Sequence, residues 1–273
     1  MSDDLGPDPG TLERWLEEAR AIAEDAGRVL LAGHRRGGVV QKKGDIDLVT
    51  EFDLASEKLI TERMRAAFPS HGLVAEEGGG DADHELVWYA DPLDGTTNFA
   101  HGHFVFSVAI GLARGGVPIA GVVHAPALGL TWHGGRGLGA FRNGERCQVS
   151  TVATLSGSIV GTGFPYDRAR DPDNNVREAA HIIPKVQGIR RLGSAAIDLV
   201  LVADGTYDGY WEQKLSPWDL CGGAAIAEAA GATLTTYDGA PIDVRSRRIV
   251  VTNGLVHDEL RREVLAARYA ASL

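Results

Sequence analysis

The chain has 273 residues, 44% of them hydrophobic, enough for one large α/β unit with a substantial buried core. Its formal charge of −10 and pI of about 5.4 argue against nonspecific binding to nucleic acid or to an anionic membrane. Two cysteines, Cys147 and Cys221, with no Cys-x-x-Cys pair argue against a disulfide scaffold and a structural zinc site.

Leu12, Trp15, Leu16, Ala19, Ile22, Ala26, Val29 and Leu30 recur at helical spacing and predict an amphipathic helix over 11–34. The acidic start before it, MSDDLGPDPG, is wrong for a signal peptide, and no apolar stretch reaches the ~18 residues of a membrane span. The expectation is a cytoplasmic protein. A basic loop follows, then a second helix over 54–68 with Asp53 as N-cap and Pro69 just past its end. Strands are expected at 73–75, 86–90, 104–112 and 119–124, and Asn143-Gly144 marks a hairpin. After residue 150 the pattern predicts a strand at 158–162 and helices at 175–183 and 194–203. A strand at 205–212 and a helix at 224–230 ended by Gly231 come next. Strands at 232–236 and 249–252 and a helix over 256–269 complete the α/β pattern. Two lobes, 1–150 and 151–273, are expected within one unit.

Four acidic segments stand out: Asp45-Ile46-Asp47, Glu76-Glu77, Asp91-Pro92-Leu93-Asp94-Gly95-Thr96 and Trp218-Asp219. In the third, an apolar run carries the chain into Asp91, Pro92 fixes φ and Gly95 permits a tight turn. Asp91 and Asp94 can then project together with the Leu93 carbonyl, a set of hard oxygen donors suited to Mg²⁺. Thr96 and Thr97 could open a short helix whose backbone N–H groups suit a phosphate. Each segment also has a plainer reading. Asp, Pro and Gly are ordinary turn residues, Glu76-Glu77 could be solvated surface, and Asp219 could be a helix N-cap with small residues behind it for close packing.

Taken in order, the segments are far more specific than any one. Asp47–Asp53, Ala75–Gly78, Asp91–Phe99 and Trp218–Gly223 resemble the inositol monophosphatase family of lithium-sensitive, magnesium-dependent phosphatases, with weaker support from Gly188–Ala196 and Ser246-Arg247-Arg248. The resemblance implies a layered αβαβα sandwich and a homodimer. It implies that Glu76, Asp91 and the Leu93 carbonyl hold one Mg²⁺, that Asp91, Asp94 and Asp219 hold a second, and that Glu76 helps a third. Asp47 and Thr96 would orient the attacking water, with Glu76 also counted as catalytic and Lys42 or Lys43 balancing charge. Phosphate would rest on Gly95 and Thr96 beside Asp94 and Asp219, while Gly193, Ser194, Ala195 and Glu212 would contact a small phosphorylated polyol or sugar. The implied reaction is hydrolysis of inositol 1-phosphate. Histidinol phosphate, a 3′-phosphoadenosine nucleotide and fructose 1,6-bisphosphate are the alternatives. The segment Gly161–Asp167 departs from animal members and looks like bacterial ones. A binding protein that keeps the fold without activity is the rival from another class, and the intact set of carboxylates argues against it.

Overall fold

The computed structural model describes residues 7–35, 40–42 and 48–269. Helix α1 (Pro9–Gly33) starts two residues before the expected position, because Asp8 accepts from the Thr11 N–H and Pro9 suits the first turn. Leu12, Leu16, Ala19, Ile22, Ala26 and Leu30 form its buried stripe. Strands β1 (Val40–Lys42) and β2 (Leu48–Thr50) pair antiparallel and lead into α2 (Glu51–Ala67). Here the expected cap is corrected. Thr50, in extended conformation, is the N-cap, and Asp53 sits three residues on. The Thr50 hydroxyl accepts from the Asp53 N–H, and the Asp53 carboxylate accepts from the Thr50 N–H at 2.9 Å.

Next come β3 (Gly72–Ala75), β4 (Gly79–Asp81), β5 (Leu86–Asp94), α3 (Thr96–Ala100), β6 (Ser107–Arg114), β7 (Val117–Ala125), β8 (Leu130–Gly135), β9 (Gly139–Arg142) and β10 (Glu145–Arg146). These strands form an eight-stranded sheet in the order β10-β9-β8-β7-β6-β5-β3-β4, antiparallel except for the β3–β5 pair. Asn143 and Gly144, both at positive φ (49° and 85°), close the β9–β10 hairpin as expected. The strand foreseen from Phe104 begins at Ser107, and β8, with its Thr131, His133, Gly134 and Gly135, was not foreseen.

The remaining elements are β11 (Ile159–Thr162), α4 (Val176–Ile182), β12 (Gly188–Arg190), α5 (Ala195–Ala203), β13 (Gly209–Gln213), α6 (Pro217–Ala229), β14 (Thr233–Thr236), β15 (Arg248–Thr252) and α7 (His257–Tyr269). Their strands make a five-stranded sheet, β12-β11-β13-β15-β14. Helix α6 starts seven residues before the expected Ala224, because Ser216 caps it and Pro217 opens it. Gly222 and Gly223 are weak helix formers that conceal its early turns.

Three large buried clusters tie five layers together. The first joins α1 and α2 to one face of the eight-stranded sheet through Leu16, Ile22, Ile60, Trp88, Ile110 and Val122. The second joins its other face to α5, α6 and the five-stranded sheet through Ala109, Val123, Leu199, Ile226, Tyr210 and Val251. The third places α4 and α7 behind that smaller sheet, with Ile182 and Leu260 on Val160, Trp211 and Val250. Strand alternation explains the division. Val122 and Val123, Tyr210 and Trp211, and Val250 and Val251 are neighbours in sequence that face different cores. The layering is the expected αβαβα sandwich. No described helix is long and apolar enough to cross a membrane.

Candidate active site

The acidic turn stands where β5 leaves the sheet. The β5–β6 register shifts between Asp91 and Asp94, so the strand bulges through this segment. The Asp91 carboxylate accepts from the Leu93 N–H at 2.9 Å, and Ser56 of α2 donates to the Pro92 carbonyl at 2.8 Å. Gly95 follows at φ 92°, and a Cβ there would lie 3.1 Å from the Val105 carbonyl and 3.2 Å from that of Gly193, so glycine suits both the angle and the space. Thr96 then opens α3. Its hydroxyl lies 3.0 Å from the Leu93 carbonyl and 3.2 Å from Asp53 Oδ1. The residue expected to cap α2 is thus the described carboxylate beside Thr96. Asp45, Asp47 and Lys43 lie outside the described residues.

Asp94 reaches across to the other half of the chain. It accepts from Ser194 Oγ at 2.5 Å, from the Ala195 and Ala196 N–H groups at 3.2 and 2.9 Å, and from Ser107 Oγ at 3.4 Å. It therefore caps α5 from a distance, and within the Gly193–Ala195 backbone expected to contact a substrate the Ala195 N–H is engaged on Asp94. Glu76 follows β3, tied by its N–H to the Ala90 carbonyl at 3.3 Å. Asp219 lies in the first turn of α6 and accepts from the Ser216 N–H at 2.7 Å, so the cap expected at Asp219 is instead Ser216 with Asp219 completing the capping box.

Glu76, Asp94 and Asp219 line an open pocket of about 510 Å³ with Gly193, Ser194, Ala195, Glu212, Arg191 and the segment Gly163–Asp167. Asp91, Leu93, Gly95 and Thr96 are not part of that lining. Burial pushes Asp91 well above the usual carboxylate range, and the charges of Glu76, Asp94 and Asp219 add to it. Burial also raises Asp219, helped by Asp94, Glu76 and Glu212, against the pull of the Ser216 N–H. In Asp94 burial outweighs the four hydrogen bonds that favour the charged form. As they stand, no three of the described acidic side chains close around one point as ligands. The cluster is defined by its shared charge, and its hard oxygen donors fit a divalent cation, which would relieve the mutual repulsion.

Glu212 is on β13 with its side chain pressed against Gly163, where an added Cβ would fall 2.0 Å from Oε1. The Tyr210 hydroxyl donates to Glu212, yet burial pushes its carboxyl up to about 7. Sequence reasoning overlooked Asp198, which lines the same pocket from the first turn of α5 and is 1% exposed. Its Oδ1 has no hydrogen-bond partner among the described residues, and burial, then Glu212 and Asp94, hold it well above the usual range. The signal was present: Asp198 is the one charged residue of the run Ala195–Ala203.

The sequence model of the inositol monophosphatase family matches residues 11–272. The inositol-1-monophosphatase of Synechocystis sp. is 42% identical over 272 residues, which cover 97% of this chain and 95% of that protein. The fructose-1,6-bisphosphatase/inositol-1-monophosphatase of Aquifex aeolicus is 36% identical over 250 residues, or 90% of this chain and 94% of the relative. Among solved structures, the inositol monophosphatase from Anabaena (Nostoc) sp. superposes with a TM-score of 0.86 at 43% identity, over 93% of this chain and 96% of that one. With both sequence and fold matched almost from end to end, the chain belongs to the inositol monophosphatase family and is a phosphomonoester hydrolase.

Proposed function

We propose that the chain hydrolyses inositol 1-phosphate to inositol and inorganic phosphate in a Mg²⁺-dependent reaction, as a cytoplasmic homodimer. The observation that carries this reading is the gathering of Glu76, Asp94 and Asp219, from separate elements, on the wall of one pocket, with Asp91 buried in the same turn as Asp94. Glu76, Asp91 and the Leu93 carbonyl would hold one ion. Asp91, Asp94 and Asp219 would hold a second, with Glu76 helping a third. Bound there, Mg²⁺ supplies positive charge to the phosphoryl oxygens and lowers the pKa of a water.

The chain's own residues do the rest. Thr96, fixed beside Asp53 and Leu93, orients the attacking water together with Asp47. The N–H groups of Gly95 and Thr96 hold the phosphate. Water oxygen bonds to phosphorus, the ester P–O bond breaks, and the leaving oxygen takes up a proton to give the free alcohol. Glu212 accepts from a hydroxyl of the polyol, and Gly193 and Ser194 shape the pocket wall beside it.

Phosphate release from inositol 1-phosphate by the purified protein, with Mg²⁺ and with excess chelator, tests the reading. Turnover should vanish in chelator. Asp91→Asn should lower it at least about a hundredfold, the scale of losing one preorganised charge interaction. Li⁺ should slow the wild type by taking the weaker ion site. Full activity in chelator would sink the assignment.

A further inference from the structure

Helix α2 presents three buried polar side chains, Asp53, Ser56 and Glu57. They lie at i, i+3 and i+4, so they share one face of the helix. Each reaches a different segment of the candidate site. Asp53 Oδ1 lies 3.2 Å from the Thr96 hydroxyl. Ser56 Oγ donates to the Pro92 carbonyl at 2.8 Å, inside the turn that carries Asp91 and Asp94. Glu57 Oε2 accepts from the Glu77 N–H at 2.7 Å, in the turn that carries Glu76.

The bond to Glu77 acts on the residue before it. The Glu76 N–H is held by the Ala90 carbonyl at 3.3 Å, and the peptide that follows Glu76 is held by Glu57. With both flanking peptides tied, Glu76 has little freedom in its two soft backbone angles. Its side chain therefore leaves the end of β3 in one direction, onto the wall of the acidic pocket. Glu57 does not line that pocket. With Gly78 and Gly79 it lines a separate cavity of about 340 Å³, between α2 and the β3–β4 connection. Its link to the acidic pocket runs through the backbone of Glu76 and Glu77. The fit there is close, since a Cβ on Gly78 would fall 2.9 Å from Glu57 Oε1.

We propose that Glu57 is a positioning residue: its carboxylate fixes the Glu76–Glu77 peptide so that Glu76 is held ready as an oxygen donor to the divalent cation. The inference rests on the reading that Glu76, Asp91, Asp94 and Asp219 bind Mg²⁺. The turns that carry Glu76 and Asp91 leave different strands, β3 and β5. One rigid helix face, through Glu57 and Ser56, sets the spacing between them. Without it the Glu76 turn would have to be ordered as the ion binds, and that ordering is subtracted from affinity. Outer partners that orient a metal ligand are worth about 10–100-fold in metal affinity.

The test is calorimetric titration of Mg²⁺ into the full chain after chelator treatment, with melting temperatures measured alongside. Glu57→Ala should weaken Mg²⁺ binding at least about tenfold. Glu57→Gln keeps a neutral acceptor, about half as strong as a charged one, and should lose only roughly threefold. Gly78→Ala retains the carboxylate but crowds it, and should weaken binding as well. Glu62→Ala removes an exposed carboxylate from the same helix and should bind Mg²⁺ as wild type does. In turnover of inositol 1-phosphate, Glu57→Ala should need more Mg²⁺ for half-maximal rate, and excess Mg²⁺ should restore kcat. A lower melting temperature with wild-type Mg²⁺ affinity would overturn the proposal, because the bond would then serve the fold alone. Equal weakening in Glu57→Gln and Glu57→Ala would overturn it too, since charge and not the held peptide would be the cause. Unchanged affinity in both Glu57→Gln and Gly78→Ala decides against it even if Glu57→Ala does not fold. If wild type takes up no Mg²⁺, or Glu76→Gln binds it as well as wild type, the metal-site reading itself fails.

Discussion

Single side chains at this site carry two duties at once. Asp94 caps α5 and belongs to the acidic cluster, and Glu212 is packed against Gly163 while facing the pocket. The separation of recognition from chemistry can be tested at Glu212. In Glu212→Gln the shape stays but the carboxylate acceptor, which is populated above pH about 7, is lost, worth there about 1.5–3 kcal/mol, or roughly ten- to a hundred-fold in kcat/KM for inositol 1-phosphate. An aryl phosphate, with no hydroxyl to offer, should be hydrolysed almost normally. Equal loss on both substrates would make Glu212 a structural residue. Away from the site, His71 accepts from the Trp88 indole N–H at 3.0 Å, and burial, aided by His84, holds its pKa below the ordinary value. A lowered histidine favours the fold above its unfolded pKa of about 6.5, and that contribution is lost as pH falls, because the unfolded chain takes up the proton first. His71→Phe should therefore cost about 0.5–1.5 kcal/mol at pH 7.5. The gap to wild type should narrow at pH 5.5 in urea denaturation. A gap that widened in acid would refute this.

Among the elements, α6 depends most on what faces it. A Cβ on Gly111 of β6 would fall 2.3 Å from the Gly222 amide nitrogen, and one on Gly121 of β7 would fall 2.2 Å from the Gly222 carbonyl oxygen. The helix that carries Asp219 therefore rests directly on sheet backbone, and neither surface can yield as a flexible side chain would. A Cβ on Gly222 itself meets the Ile110 carbonyl at a milder 3.1 Å. Gly111→Ala should destabilise the protein by about 1–3 kcal/mol or more, as overpacking does, and clearly more than Gly222→Ala. Because the clash pushes on the helix bearing Asp219, turnover should fall with stability. Equal melting temperatures for the two variants would contradict the close approach. The capping boxes of α2 and α6 show a related economy: Asp53 and Asp219 each stabilise a helix start and by that placement arrive at the candidate site.

At the scale of the whole molecule, we read the two sheets as lobes of one cooperative unit. The middle core takes Ala109, Val123 and Trp132 from the larger sheet, and Tyr210, Ile249 and Val251 from the smaller, around α5 and α6. Separating the lobes would expose that whole layer to water, so neither should persist without the other. Denaturation followed by tryptophan fluorescence and by far-ultraviolet circular dichroism should give coincident, single transitions. Trp88 and Trp132 report on one sheet and Trp211 on the other. Two resolved transitions would show that the lobes unfold independently. The same middle layer brings Asp94 from one lobe to the α5 N-terminus of the other, so the integrity of the site and of the core are linked.

What the sequence determined by itself was local or repeated along the chain. The stripe of α1, the Asn143-Gly144 hairpin and the turn through Gly95 follow from spacing and backbone preference, which neighbouring residues settle among themselves. The order of the acidic segments was equally legible, because it is a property of the string. Tertiary structure decided which groups meet. It set Asp53 beside Thr96, 43 positions apart, and Asp94 beneath α5, about a hundred positions away. It extended α6 back through Gly222 and Gly223, since close contact of Gly222 with β6 and β7 and of Gly223 with Leu199 of α5 outweighs their low helix propensity. It also buried Asp198 against the pocket. Such meetings depend on how layers pack, and no spacing within the chain encodes them.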